Sequence, residues 1–244
     1  MDVKRTILGV RFDDVTMDEA LARCEALIRS KTAGYVVTPN AEMVYAACRD
    51  DSLRELLNAA ALVVPDGVGV LYASRILGTP VKARVPGVEL GEQLIARCAA
   101  GGYRIFLLGA KPGVADIAAE KLKAKYPGLI VAGTHDGYFK DDAPMLDLLR
   151  DAKPDVVLVC TGFPRQERFM RKAAAALPPA LFLGLGGSLD IYSESLKRAP
   201  AFYCKFGLEW LYRLFQEPRR IGRMARLPLF LGLAVKEKFR RKSK

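Results

Sequence analysis

The stretch that decides the fold is YRIFLLGAKPGVADIAAEKL, residues 103 to 122. Its opening, Arg104–Gly109, places Ile, Phe and Leu in succession rather than in alternation, the pattern of a strand buried on both faces. A glycine-rich turn, Gly109-Ala-Lys-Pro-Gly113, follows and opens a helix. Strand, turn and helix in that order form the repeating unit of an α/β sheet.

Working outward, apolar runs of strand length recur at Tyr35–Thr38, Ala61–Val64, Leu129–Ala132, Val156–Thr161 and Ala180–Leu185. Segments of helical period lie between them. Met17 to Arg29 sets Ala20, Leu21, Cys24, Leu27 and Ile28 on one face behind the capping box Thr16-x-x-Glu19, and Ser52-x-x-Glu55 is read as the start of another helix. Continuous apolar strands alternating with helices predict a Rossmann-like, mostly parallel sheet with helices on both faces. No repeat or low-complexity tract interrupts the first 200 residues. They are read as one α/β core, and residues 201–244 as a basic helical appendage.

The charge supports that division. The chain has 244 residues, 51% of them hydrophobic, and a formal charge of +11. Residues 213 to 244 carry eleven Lys/Arg against Glu217 and Glu237, so +9 of the +11 sits in the tail. A nearly neutral body with a basic end suits docking to an anionic surface. Cys24, Cys48, Cys98, Cys160 and Cys204 are widely spaced with no CxxC pair, the pattern of buried thiols in a reducing compartment. The apolar stretch Ile7 to Val10 is too short for a signal-peptide core.

In parallel sheets, ligands bind beyond the carboxyl ends of the strands. The turns there are Thr38-Pro39-Asn40, Pro65-Asp66-Gly67, Gly109 to Gly113, Thr134 to Gly137, Gly162 to Glu167 and Gly186-Gly187-Ser188. Each also has a plain structural reading: Asn40 as a helix cap, Asp66-Gly67 as a turn, His135 as a loop histidine. The amides of Gly109 to Gly113 suit a phosphate, although the motif is neither a Walker loop nor GxGxxG. Arg84 suits a diphosphate leaving group. With one histidine and no clustered thiols or carboxylates, an intrinsic metal site is not expected, and neither a Ser-His-Asp nor a Cys-His set is present. A carboxylate, an arginine, amides and hydroxyls remain, a set suited to a transferase using a nucleotide diphosphate.

Several of these segments, VVTPNAEMVYAA, VVPDGVGVLYASRILG, ARVPGVEL, GFPRQE and above all RAPAFYCKFGLEWLYRLFQEPRR, resemble the WecG/TagA/CpsF family of bacterial glycosyltransferases, glycosyltransferase family 26. The resemblance runs from about Arg5 to Arg226. It implies transfer of a sugar, N-acetylmannosamine in the best understood members, from a UDP-sugar to N-acetylglucosamine on undecaprenyl diphosphate. That transfer inverts the anomeric centre, needs no cofactor or metal, and takes place at the cytoplasmic membrane face. It further implies Asp66 as general base, Thr38 and Asn40 as pocket residues beside it, Arg84 on the phosphate side and Gln166 as a polar contact. Arg213, Arg220 and Arg223 would reach a diphosphate from the appendage. Gly109, Gly113 and Gly186, by contrast, are read from the strand-end loops alone as substrate-binding amides. Glu89 and Glu194 depart from the family pattern, standing where Asp is usual and Gly is frequent. Alternative donors within the family are UDP-N-acetylmannosaminuronic acid and UDP-glucose.

Two other classes compete. A nucleotide-dependent oxidoreductase would carry a glycine fingerprint after its first strand, which is missing here. A nucleic-acid binder would interleave its basic tail with stacking aromatics rather than with leucines. The tail segment Leu227 to Val235 is too short to span a bilayer, and Pro228 and Gly232 disfavour a rigid helix there, so an interfacial segment lying on the membrane is expected. Its apolar residues would also serve an interface between copies of the chain.

Overall fold

The computed structural model describes residues 3–197, 199–200, 202–203, 209–216 and 226–242. The chain opens with an antiparallel hairpin that the apolar pattern did not announce, β1 (Lys4–Ile7) and β2 (Val10–Asp13). Its two-residue turn, Leu8-Gly9, takes positive φ at both positions, the conformation that matches the twist of paired strands. Asp13, which ends β2, and Asp14, which follows it, are buried. Asp13 pairs with Arg23 at 2.9 Å and accepts the Val63 amide at 2.9 Å, tying the hairpin to the edge of the main sheet. Asp14 accepts the Lys82 amide at 2.7 Å and so anchors the loop that carries Arg84.

The six expected strands form one parallel sheet: β3 (Gly34–Val37), β4 (Leu62–Val63), β5 (Arg104–Gly109), β6 (Ile130–His135), β7 (Val156–Cys160) and β8 (Leu181–Gly184). Their spatial order is β4-β3-β8-β7-β5-β6. Strands β5, β7 and β8 are buried almost throughout, because helices cover both faces. The β6 strand runs on to His135, further than its apolar residues alone suggest, and lies at the half-exposed far edge. The two faces of the sheet define two cores. One gathers the hairpin, α2 (Ala41–Ala47), α3 (Asp51–Asn58), α4 (Val68–Ile76), α7 (Asp142–Ala152) and α8 (Arg165–Ala176). The other gathers α1 (Met17–Arg29), α5 (Gly87–Gly101), α6 (Val114–Lys125) and α9 (Ser188–Tyr192).

Local chemistry sets the helix starts. The capping box at Thr16 and Glu19 is formed on both sides. The helix expected to open at Ser52 starts one residue earlier, at Asp51, with Asp50 as its cap: the Asp50 carboxylate accepts the amides of Ser52 and Leu53 and outcompetes a hydroxyl for them. Cys24, Cys98 and Cys160 are buried, and burial pushes each thiol up to about 12, so they pack as inert groups. Cys204 lies outside the described residues.

The tail corrects a second expectation. Pro228 and Gly232 do not prevent a helix: Arg226–Lys242 is helical throughout, here α11, preceded by α10 (Glu209–Gln216). Pro228 falls in the first turn of α11, where the missing N–H has no intrahelical partner to lose. The helix packs on α2 and α4, with Phe230 and Ala234 wholly buried in the first of the two cores. Leu229, Val235 and Phe239 remain exposed. Among the described residues no helix is long and apolar enough to cross a membrane.

Candidate active site

A cleft of about 450 Å³ opens beyond the carboxyl ends of β4, β3, β8 and β7, four adjacent strands of the sheet. Its volume suits a small-molecule ligand. The β3 loop contributes Thr38 and Asn40, the β4 loop Asp66 and Gly67, the β7 loop Thr161 to Phe163 with Gln166, and the β8 loop Leu185 to Ser188. Arg84 reaches it from the segment before α5. The first turns of α2, α4, α5 and α8 all face the cleft, so their amide dipoles favour an anion inside it.

Side-chain and backbone bonds hold these loops in place. The Thr38 hydroxyl donates to the Gly184 carbonyl at 3.1 Å, which locks the β3 loop to β8 and leaves Thr38 nearly buried. Asn40 caps α2, its Oδ1 accepting the Met43 amide at 3.1 Å, yet it is exposed at the cleft rim. The two readings of Asn40 are therefore compatible. The Asp66 backbone amide donates to Pro39 at 3.2 Å, and the Asp66 carboxylate accepts the Gly87 amide at the start of α5 at 3.3 Å. Those contacts fix the carboxylate at the cleft wall, half-buried. Arg84 is half-buried in the same wall, its loop tied back by Asp14 and by the Val85 amide on Pro65. From the tail, Leu227 lines the cleft and Arg226 pairs with the lining residue Glu42 at 3.3 Å.

Not every expected residue joins them. Gly109 and Gly113 do not line this cleft, because β5 is separated from β3 and β4 by β8 and β7. Gly109 has a packing reason instead: φ is +139° and a Cβ would meet the Cys160 carbonyl oxygen at 2.4 Å, so only glycine lets the ends of β5 and β7 approach. Gly113 lies in the left-handed region before α6. His135, expected in a loop, is instead the last residue of β6, paired with Leu108 of β5, and its Nδ1 lies 2.8 Å from the Asp136 carbonyl. Arg213 falls on α10, while Arg220 and Arg223 lie outside the described residues. Among the described residues no group of three His, Cys, Asp or Glu is placed to hold a metal ion.

The family model of the WecG/TagA/CpsF glycosyl transferases matches residues 5–244. The chain belongs to that family. Among curated proteins, it is 34% identical to one from Bacillus spizizenii, over 92% of this chain and 88% of that one. It is 34% identical to one from Bacillus subtilis strain 168, over 88% and 84%. A Staphylococcus aureus MW2 protein is 32% identical over 96% and 93%. All three are named N-acetylglucosaminyldiphosphoundecaprenol N-acetyl-beta-D-mannosaminyltransferase.

As a WecG/TagA/CpsF glycosyl transferase, the chain brings Thr38, Asn40, Asp66, Arg84, Gln166 and Gly186 to one cleft. Glu89 and Glu194, the two positions at which the resemblance led us to expect a departure, are both outside the cleft lining. Glu194 has φ of +59° and an ion pair with Lys121, a left-handed backbone position that glycine adopts without strain. One residue went unmarked as a site residue in the sequence. Glu167 sits directly behind Gln166, 0% exposed, and burial pushes its carboxyl from 4.5 up to about 7. The available signal was phase: Gln166, Phe169, Met170 and Ala173 share one helical face, which draws the first turn of α8 inward.

Proposed function

We propose that this WecG/TagA/CpsF family member transfers N-acetylmannosamine from its UDP derivative to the N-acetylglucosamine of undecaprenyl-diphosphate N-acetylglucosamine, with inversion. The reading is carried by one observation, a carboxylate and an arginine fixed in the walls of a single cleft that the helix amides make favourable to anions. The names of the relatives supply the sugars.

The chemistry follows from what each group can do. The acceptor hydroxyl attacks the anomeric carbon from the face opposite UDP. A new carbon–oxygen bond forms as the bond to the diphosphate breaks. Asp66 takes the hydroxyl proton and becomes neutral, and UDP leaves with the electron pair. A base so placed is worth about two to four orders of magnitude. Arg84 and the helix N-terminal amides offset the charge growing on the diphosphate, and the appendage arginines Arg213, Arg220 and Arg223 add to them. Gly186 lies within the same wall but donates its backbone amide to Gln166 Oε1 at 3.1 Å, whereas Gly109 and Gly113 act on the fold outside it.

The acceptor is a lipid, so the enzyme works at the membrane surface, at its cytoplasmic face. Helix α11 supports peripheral docking: one face is fastened to the core by Phe230 and Ala234, while Val235 and Phe239, one turn apart, stay exposed among lysines and arginines.

The test is release of UDP from UDP-N-acetylmannosamine on addition of a short-chain lipid-diphosphate N-acetylglucosamine. Asp66→Asn should lower kcat by roughly 10²- to 10⁴-fold while nucleotide binding persists. An unimpaired Asp66→Asn rate ends the base assignment, and turnover only with another UDP-sugar ends the donor assignment.

A further inference from the structure

Gln166 and Glu167 open α8 side by side, and neither faces water: they are 4% and 0% exposed. A glutamine amide has two acceptor lone pairs and two N–H donors. Both lone pairs on Gln166 Oε1 are engaged, by the Gly162 amide of the β7 loop at 3.2 Å and by the Gly186 amide of the β8 loop at 3.1 Å. One N–H of Nε2 donates to Glu167 Oε1 at 2.7 Å. The arrangement is tight, since a Cβ at Gly184 would meet Nε2 at 2.9 Å. A single N–H is left for a ligand in the cleft.

Gln166 is thus less a free polar contact than a tie between two cleft loops, and Glu167 holds its far end. We propose that Glu167 is a positioning residue for the transfer: through its bond to Gln166 it fixes the spacing of the Gly162 and Gly186 loops and directs the remaining Gln166 N–H to the substrate. The role rests on reading the cleft as the transfer site.

Stability does not account for a carboxyl at this place. Its Oε2 has no hydrogen-bond partner among the described residues, and a buried carboxyl so poorly satisfied weakens the fold relative to an apolar side chain of similar size. What the side chain offers here is an acceptor oxygen, Oε1, held 2.7 Å from the Gln166 amide nitrogen.

The experiment compares the wild type, Glu167→Leu, Glu167→Gln, Gln166→Leu and the double variant in the UDP-release assay. Thermal melts and hydrogen exchange of the Gly162 and Gly186 backbone amides are measured on the same samples. Glu167→Leu should lower kcat/KM roughly 10- to 100-fold, the scale of one hydrogen bond to a charged group. Its melting temperature should hold or rise, and both glycine amides should exchange faster. Glu167→Gln keeps an acceptor oxygen and should stay within about threefold of wild type. The double variant should be no worse than Gln166→Leu alone, as two residues acting through one bond require.

The proposal is overturned if Glu167→Leu keeps full kcat/KM, or if it loses activity only in step with a fall in melting temperature. Additive losses in the double variant overturn it as well. Should Glu167→Leu fail to fold, Glu167→Gln decides, a loss above tenfold in a folded protein being fatal. If the wild type does not turn over this donor and acceptor, the substrate assignment fails, while the glycine-amide exchange still tests the tie.

Discussion

Replacing Glu167 by glutamine should change how stability depends on pH. The side chain is 0% exposed, and burial raises its carboxyl from 4.5 in the unfolded chain to about 7, offset only in part by hydrogen bonds from Gln166 and its own backbone amide. The folded chain therefore holds this proton more tightly than the unfolded one. Its stabilising contribution is complete below pH 4.5 and is lost as pH rises toward 7, a swing of about 3 kcal/mol for a shift of this size. Glutamine carries no charge at any of these pH values, so its difference from wild type isolates this one group. Whatever fixed cost its amide brings, the gap in unfolding free energy should move in favour of the variant by about 3 kcal/mol between pH 4.5 and pH 8. For a chain of this length that is roughly 6–12 °C in the difference of melting temperatures. Paired thermal and urea melts from pH 4.5 to 8 measure it. A gap that stays constant across the range would refute both the buried charge and the stability argument built on it.

Other perturbations read other parts of the molecule. Arg84→Lys keeps the charge but loses the planar fork, and should cost about 10²-fold in kcat/KM for UDP release; a wild-type rate would remove Arg84 from the leaving-group side. Phe230→Ala empties the site where α11 meets α2 and α4, and should destabilise the chain by about 3–5 kcal/mol in urea melts, with a change near zero showing that α11 is not fastened to the core. Val235→Asp with Phe239→Asp should abolish co-sedimentation with vesicles rich in phosphatidylglycerol, binding that in the unaltered protein weakens as salt rises; retention of binding would place the membrane contact elsewhere.

The parallel sheet was legible because each strand is buried on both faces and so reads as an unbroken apolar run. The hairpin was not. Its strands have four residues each, Lys4–Ile7 is mostly polar, and the Leu8-Gly9 turn lacks the Asn-Gly signature that marks such turns. Asp13 and Asp14 read as the polar end of an apolar stretch, yet their burial is what joins the hairpin to β4 and holds the Arg84 loop. The helix across Pro228 was hidden by reading proline as a breaker without knowing that it would fall in a first turn. At the site, the rule about strand ends located the strand loops but not the Arg84 segment between α4 and α5, and it could not tell which loops meet. That depends on strand order, a long-range property, and it is why Asp66 and Gln166 share a cleft while Gly109 does not.

The same strand order constrains the geometry of the proposed displacement. Asp66 follows β4 at the edge of the sheet, whereas the Gly162 and Gly186 loops follow β7 and β8 near its centre. Neighbouring strands are about 4.8 Å apart, so roughly 14 Å separate the β4 and β7 ends of the cleft. An in-line transfer needs the base on one face of the anomeric carbon and the diphosphate on the other. With Asp66 as base, the proposed arrangement extends the nucleotide toward the central glycine loops, with Arg84 reaching it from the segment before α5, and admits the acceptor from the β4 side. That side is the one walled by α4, by Leu227 and by the Arg226–Glu42 ion pair. The helix proposed to touch the membrane thus forms part of the entrance through which a lipid-borne hydroxyl would arrive. Fastening α11 to the core with Phe230, rather than leaving it a loose anchor, keeps that entrance at a fixed distance from the base.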